Sequence, residues 1–228
     1  MYSGRKKRYI LASAVAIPII LVALYSAQQS GTYKNSKVWN FDSYSENTSV
    51  PNLFASSDAA IPDGKGYWAI KPDDTAPSKS NVLARISNDA TGSAYHLLII
   101  PEGVYDNFEA SVKFKILSGT VEQAAGLVIR FQDLNHYFVL RADALNHRFS
   151  LCRTQIGAIV CTQDKDVRIK QDQWHTMTVR VAAQGIAGDL DGMRLIQRND
   201  QNYLSGGQIG FWTKGDSAVY FDDLKIAY

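Results

Sequence analysis

The sequence predicts an all-β fold, a two-sheet antiparallel jelly-roll sandwich, from three observations. Apolar and polar residues alternate with the strand period of two, most clearly between Gly126 and Thr162. Ten or more runs of strand length are separated by segments rich in Gly, Pro, Asp and Ser. After the first residues, no convincing amphipathic helix interrupts them. Short antiparallel strands at this spacing are typical of sandwiches and jelly rolls.

The N-terminus is predicted to be a membrane segment. Residues 1–8 form a basic flank, and residues 9–27 contain no charge, which is long enough to cross ~30 Å of hydrocarbon as a helix. The positive-inside rule keeps the flank in the cytoplasm. We favour an uncleaved transmembrane anchor over a cleaved signal segment, because Tyr25 stands where a cleavage site ending at Ala27 needs a small residue. Both interpretations place the remaining chain outside the cytoplasm, in an extracellular or periplasmic location.

Residues 28–36 are polar and contain Gly and Ser, which is typical of a linker, and the folded domain is predicted over residues 37–228. The formal charge is +2, and removing the four basic residues of the flank leaves +2 − 4 = −2. A nearly neutral domain lacks the clustered Lys and Arg that phosphate neutralisation requires. Nucleic acid is therefore not an expected partner.

The strands are predicted from local pattern and turn chemistry. Residues 108–117 place every second apolar side chain on one face, and Asp191-Gly192 is a hairpin turn signal. Around the predicted loop 133–136, Gln132 would lie opposite Tyr137 and Phe131 opposite Phe138. The predicted strands are 39–42, 67–70, 81–86, 94–100, 108–117, the meander of 126–162, 174–182, 185–190, 193–197, 208–213 and 218–226.

The two cysteines are predicted to form a structural disulfide. A two-residue turn at Ile156-Gly157 places Cys152 directly opposite Cys161 in neighbouring strands. Export makes oxidation plausible, and the alternative is a pair of free thiols. A metal site at the pair would need more ligands than this hairpin offers.

Several segments together resemble the concanavalin A-like superfamily. They are QAAGLVIRFQD from Gln123, HYFVLRA from His136, QWHT from Gln173, Asp191-Gly192, and GFWTKGDSAVYFDDL from Gly210. Within it, residues 39–228 resemble exported domains of the laminin-G-like group and of the family 16 glycoside hydrolase-like, 3-keto-disaccharide hydrolase group. The resemblance implies a two-sheet jelly roll whose concave face commonly carries the ligand site, and such folds host lectins, binding modules, glycanases and adhesion domains.

The sequence offers no catalytic residues. Family 16 enzymes carry Glu-x-Asp-x-x-Glu or Glu-x-Asp-x-Glu on one strand, and glycoside hydrolysis normally needs two nearby carboxyl groups. None of the four glutamates, Glu46, Glu102, Glu109 and Glu122, has such a partner. Asp133, Asp143 and Asp191 fall in predicted turns, where Asp is common for backbone reasons.

The polar face of the meander is the candidate ligand site. Planar donors beside an aromatic ring suit the hydroxyls and CH faces of sugars. The alternative is that the arginines pair with acids and the tryptophans belong to the core. The predicted residues are Arg130, Gln132, Tyr137 and Arg141, with Trp212 or Trp174 as a stacking platform.

The resemblance also implies a structural Ca²⁺ site. Related modules often bind Ca²⁺ where the first and last strands meet, and the matching residues here are Asp42 and Asp222. The alternative for the adjacent acids Asp222 and Asp223 is a β-bulge with solvated carboxylates.

Three functions are compatible with these patterns. The first is a membrane-tethered, non-catalytic module that binds a glycan or a cell-surface protein. The second is a glycoside-acting hydrolase of the 3-keto-disaccharide hydrolase type. The third is an accessory subunit of a larger membrane complex.

Overall fold

The computed structural model describes residues 33–48, 55–56, 66–87, 94–155, 157–199 and 205–228, and all regular structure in them is β-strand. Residues Lys34–Tyr228 form one unit. The strands are β1 (Ser36–Trp39), β2 (Ala55–Ser56), β3 (Gly66–Pro72), β4 (Asn81–Ser87), β5 (Tyr95–Tyr105), β6 (Phe108–Ser118), β7 (Ala124–Asp133), β8 (His136–Asp143), β9 (Arg148–Gln155), β10 (Ala158–Asp166), β11 (His175–Ala182), β12 (Gly185–Leu190), β13 (Met193–Asn199), β14 (Gly207–Lys214) and β15 (Ala218–Ala227).

The strands form two antiparallel sheets. The first sheet has the order β13-β12-β11-β6-β15-β4-β3, with β1 also paired to β15. The second has the order β10-β9-β8-β7-β14-β5-β2, so the consecutive meander β7 to β10 occupies one half of it. This confirms the predicted all-β, two-sheet jelly roll. The predicted span 9–27 lies outside the described residues, and within them no helix has the length and apolarity that crossing a membrane requires.

The main core lies between the sheets and follows from the period-two pattern. On β6 the alternate residues from Phe108 to Ile116 are buried, as the sequence predicts. Aromatic rings join the layers: the Phe211 and Phe221 centroids lie 5.2 Å apart, and Trp68 lies 6.4 Å and 6.1 Å from them. Burying such side chains is the main source of stability in a sheet sandwich.

The predicted register of β7 and β8 is wrong beyond the hairpin loop. Asp133 pairs with His136, but the next pair is Ile129 with Phe138, so residues 130–132 stand opposite a single residue of β8. This β-bulge places Arg130 at φ 52°. Phe131 consequently packs against the ring of Tyr137, with centroids 5.9 Å apart, instead of entering the main core.

The predicted β9–β10 hairpin is confirmed. Cys152 pairs with Cys161 across the ladder, and the two form the disulfide. Cys152 is fully buried. The bond therefore anchors the edge strand β10 to the interior of the second sheet.

Side chains also join the edge strands β10 and β13, which belong to different sheets. Gln163 Nε2 donates to the carbonyl of Gln197 at 3.1 Å, and Arg198 Nη1 donates to the carbonyl of Thr162 at 3.3 Å. These contacts close one side of the sandwich.

Candidate functional site

Two of the predicted ligand residues lie near the β7–β8 hairpin. Arg130 is fully buried, and its Nη2 donates to the carbonyls of Ala183 at 2.7 Å and Asp106 at 3.4 Å. Gln132 is exposed and donates to Ser205 Oγ at 2.8 Å. The structure therefore does not bring Arg130 onto a polar face shared with the other predicted residues, because the bulge directs its guanidinium to backbone carbonyls.

The predicted aromatic residues belong to a packed second layer on the outer face of the second sheet. Trp212 is fully buried, stacks on Tyr95 with centroids 5.8 Å apart, and lies 5.9 Å from Arg141 Cζ. Its ring lies so close to the sheet that a Cβ on Gly126 would approach Trp212 Cε3 to 3.0 Å. Burial raises the pKa of Tyr137 to about 12. The layer presents no open stacking platform at Trp212 or Tyr137.

Trp174, the alternative stacking platform, immediately precedes β11, a strand of the first sheet. Its Nε1 donates to Thr75 Oγ1 at 3.2 Å, and its ring lies 5.1 Å from the ammonium group of Lys115. Lys115 also forms a salt bridge with Asp73 and lies 5.4 Å from the ring of Tyr220. Trp174 is thus part of a hydrogen-bonded polar cluster on the first sheet, whereas the other predicted ligand residues lie on the second.

Arg141 is the centre of an ionic network on the outer face of the second sheet. Its Nη2 contacts the carboxylate of Asp143 and lies 3.8 Å from Glu122 Oε2, and Glu122 also pairs with Lys214. Asp143 in turn accepts the backbone N–H of Asn146 at 3.0 Å and its side-chain amide at 2.9 Å. The network therefore connects the sheet to the turn that follows β8.

The position of Glu122 is fixed from its backbone. The carboxylate of Asp216 accepts the N–H groups of Thr120, Val121 and Glu122 at 2.5, 3.1 and 2.8 Å. Burial alone would raise the pKa of Asp216, but these backbone donors favour the ionised form and hold the pKa below its usual value. Glu122 is thereby held beside Arg141.

An open groove lies beyond this network, at the end of the second sheet that carries the β8–β9 turn. It has a volume of about 520 Å³, and an adjoining cavity of about 340 Å³ shares His147 and Arg168 with it. One wall is the turn after β8 and the other is the segment between β10 and β11. The lining residues are Asn146, His147, Asp166, Val167 and Arg168 in the groove and Gln123, Ala144, Ile169, Lys170 and Gln171 in the cavity.

The two walls are fixed by backbone hydrogen bonds. Val167 N donates to the carbonyl of His147 at 2.9 Å, which joins wall to wall, and Ala144 N donates to the carbonyl of Gln123 at 2.8 Å. Gln171 Nε2 donates to the carbonyl of Leu117 at 2.9 Å. The groove is consequently preformed.

A buried histidine fixes the second wall from behind. His175 is stacked on Phe114, with centroids 5.6 Å apart. Its Nδ1 lies 2.7 Å from Asp191 Oδ2, and its Nε2 lies 3.1 Å from the carbonyl oxygen of Lys170. The QWHT segment thus positions the groove wall through His175.

No sequence motif predicts this groove. Its walls are about 20 residues apart in the chain and meet only because β9 and β10 form a hairpin that returns to the same end of the sheet. The one available signal was the run of amide and basic residues in the two connecting segments, which also fits ordinary solvated loops.

Both predicted calcium ligands, Asp42 and Asp222, accept hydrogen bonds within the protein. Asp42 Oδ1 accepts the N–H of Asn81 at 3.0 Å, and the buried Asp222 accepts the N–H and the hydroxyl of Ser78 at 3.0 Å. These partners are donors, whereas Ca²⁺ requires roughly six to eight oxygen ligands. Among the described residues no three His, Cys, Asp or Glu side chains converge as a metal ligand set.

Calcium binding therefore stays a prediction, which a comparison of melting temperature with and without chelator would check. The structure agrees in part with the alternative, a β-bulge with solvated carboxylates at Asp222 and Asp223. Asp223 lies in a β-bulge at φ 47° and pairs with Lys113 at 2.8 Å, but Asp222 is fully buried instead of solvated.

Comparison with solved structures finds the same fold in several other proteins. The carbohydrate-binding module CBM66 from Bacillus subtilis superposes with a TM-score of 0.60 at 16% identity, covering 81% of this chain and 99% of that one. Domain 4 of AbnA, an arabinanase from Geobacillus stearothermophilus solved with arabinotriose, gives 0.56 at 13% identity over 83% and 90%. A family 16 glycoside hydrolase from Bacteroides ovatus gives 0.57 at 7% identity over 83% and 99%. At these identities the similarity shows the fold alone.

The sequence shows the family to which the chain belongs. Residues 36–227 match the model of the 3-keto-alpha-glucoside-1,2-lyase-like domain, and the chain belongs to that family. This confirms the resemblance to the 3-keto-disaccharide hydrolase group. None of the curated proteins matches the sequence.

Proposed function

We propose that the domain is a non-catalytic glycan-binding module, held outside the cytoplasm by the membrane segment at residues 9–27, and that it binds its ligand in the groove beside the β8–β9 turn. The observation that carries the proposal is the open, preformed groove whose exposed side chains include an amide, an imidazole and a guanidinium. The structural similarity to a carbohydrate-binding module supports it.

The chemistry of the lining suits sugars. The amide nitrogens of Asn146 and Gln171 already donate to Asp143 and to the carbonyl of Leu117, so it is their amide oxygens that can accept from sugar hydroxyls. Arg168 presents several N–H donors, which can hold two neighbouring hydroxyls of a sugar ring. The partly exposed apolar side chain of Val167 offers surface for the ring's CH groups.

Arg141 acts in this proposal as a positioning residue instead of a direct ligand. It holds Asp143, and Asp143 holds Asn146 at the groove. Because the wall is fixed before the ligand arrives, little conformational entropy is lost on binding. Two other predicted residues, Tyr137 and Trp212, stabilise the sheet beneath the network.

The test is glycan-array binding of the full chain in mild detergent. Replacing His147 or Asn146 by Ala should abolish the signal. The matched control is His136→Ala, an exposed histidine in the hairpin at the other end of β8. The proposal fails if the wild-type chain binds no glycan, or if the groove variants bind as well as His136→Ala does.

The membrane anchor and the location require a separate test. The full chain should sediment with membranes and resist extraction by alkaline carbonate, and protease added to sealed cells should digest the domain. A chain that is soluble after cell lysis, or that is protected from protease, would contradict this part of the proposal.

One observation favours an enzyme as the second candidate. Glu122 and Asp143 contact the same guanidinium nitrogen of Arg141, so two carboxylates are neighbours on the outer face. Family membership points to 3-keto-α-glucosides as the substrate to assay. Turnover that is lost in both Glu122→Gln and Asp143→Asn would establish this function. Both carboxylates are, however, already paired with basic side chains of the protein, Arg141 and Lys214. This favours the glycan-binding function over the enzymatic one.

A protein partner at the cell surface, or a place in a larger membrane complex, stays a prediction. Co-purification from mild detergent would distinguish a complex subunit from a free glycan-binding module.

A further inference from the structure

The charges that line the groove are unbalanced. Arg168 and Lys170 are exposed, and neither forms a salt bridge with any residue that the structure describes. The one carboxylate of the lining, Asp166, lies 3.6 Å from Arg148 Nε. The lining of the groove and its adjoining cavity therefore carries two positive charges, Arg168 and Lys170, against the single negative charge of Asp166.

This differs from the other ionic clusters on the outer faces of the sheets. Arg141 contacts Asp143, while Arg180 and Arg194 both contact Asp189. In these clusters the guanidinium groups are matched within the protein. Arg168, by contrast, lines an open groove.

We propose that the groove selects acidic glycans, in which an anionic group on the sugar ring pairs with Arg168. This inference rests on the proposed glycan-binding function and names the class of glycan. A guanidinium offers two parallel N–H donors to a carboxylate or a sulfate ester, which gives both strength and orientation. Lys170, in the adjoining cavity, supplies a second positive charge.

The position of Arg168 favours this role. It lines both the groove and the adjoining cavity, so its guanidinium can reach the anionic group of a glycan bound in either. The neighbouring Val167 is held to His147 by a backbone hydrogen bond, which fixes the backbone beneath the guanidinium. His147 lies on the facing wall, where its ring can contact the sugar to which the anion is attached.

The experiment compares matched charged and neutral oligosaccharides on the full chain in mild detergent. The first pair is oligogalacturonate and its methyl ester, which have the same rings and differ in charge. The second is a sulfated galactan oligosaccharide and its desulfated form. We expect the acidic member of at least one pair to bind about tenfold more tightly, with a preference that weakens as salt is added. The pair that shows the preference identifies the anion.

Arg168→Gln should remove the preference, so that the acidic and neutral members of the pair bind equally, and the exposed side chain makes loss of folding unexpected. The control is Lys225→Gln, which removes one exposed positive charge from β15 in the other sheet. Equal binding of charged and neutral members, or a preference that survives in Arg168→Gln, would overturn the inference but leave the proposed function standing. Absence of binding to all four oligosaccharides and to the glycan array would overturn both.

Discussion

Asp143 holds Asn146 twice, through the backbone N–H at 3.0 Å and through the side-chain amide at 2.9 Å. Its other contact is the guanidinium of Arg141. A side chain on the rigid sheet thereby sets the conformation of a turn that borders the proposed ligand groove.

Replacing Asp143 by Ala should therefore affect both stability and binding. The change removes both hydrogen bonds to Asn146 and the one from Arg141, which keeps Glu122 as its remaining acidic contact, so we expect a loss of about 2 kcal/mol in the free energy of unfolding. Urea unfolding measures this loss, and the glycan array measures binding. Full binding by a folded Asp143→Ala variant would contradict the positioning role.

The stability of the domain should depend on pH through Asp222. Burial raises the pKa of this carboxyl from 3.8 to about 6, against the opposing hydrogen bonds from Ser78 and Asp223. Because the folded state holds the proton more tightly than the unfolded state, the stabilisation is present below pH 3.8 and is lost as pH rises through about 6. The loss amounts to at most about 3 kcal/mol.

The measurement is urea unfolding on both sides of this pH range for the wild-type chain and for Asp222→Asn. The difference between the two curves isolates Asp222 from other titrating groups. It should change across the range, since Asn cannot take up the proton. A constant difference would show that Asp222 does not titrate there.

The disulfide should contribute through the short loop that it closes. Cys152 and Cys161 are nine residues apart, which corresponds to about 2 to 3 kcal/mol of lost unfolded-state entropy. The variant with both residues changed to Ser should unfold at a lower denaturant concentration than the oxidised wild-type chain. Added reductant should leave the midpoint of the variant unchanged. An equal midpoint for the oxidised wild-type chain would contradict this estimate.

Gly126→Ala should destabilise the outer layer of the second sheet. The new methyl group would lie 2.7 Å from Val139 Cγ2 and 3.0 Å from Trp212 Cε3, so the indole has to move. Overpacking of this kind typically reduces stability by about 1 to 3 kcal/mol. Thermal unfolding and a changed tryptophan emission would report it. Gly185→Ala, whose nearest neighbour is the carbonyl of Ala182 at 3.2 Å, is the milder control.

The sequence predicted the sheet architecture because period-two patterning is a local property. The alternate burial along β6 and the pairing of Cys152 with Cys161 both follow from counting residues between turns. The register of β7 and β8 failed because a bulge at Arg130 inserts extra residues, and no turn residue marks it.

The candidate site was less accessible to prediction. Alternation correctly placed Arg141 on the outer face of the second sheet, but it does not tell whether an outer face is wet. Here that face carries a second apolar layer that includes Trp212, so the solvated groove lies at the sheet's end instead. His147 and Arg168 line the same groove because of the tertiary topology, which residue spacing does not encode.

The side-chain bonds between β10 and β13 also bear on how the domain behaves at high local concentration. Each bond occupies a main-chain carbonyl that an exposed margin of a sheet would otherwise offer to a neighbouring molecule. A second chain attempting to add itself along this margin would first have to break them. Crowded copies are thus discouraged from polymerising through this side of the molecule.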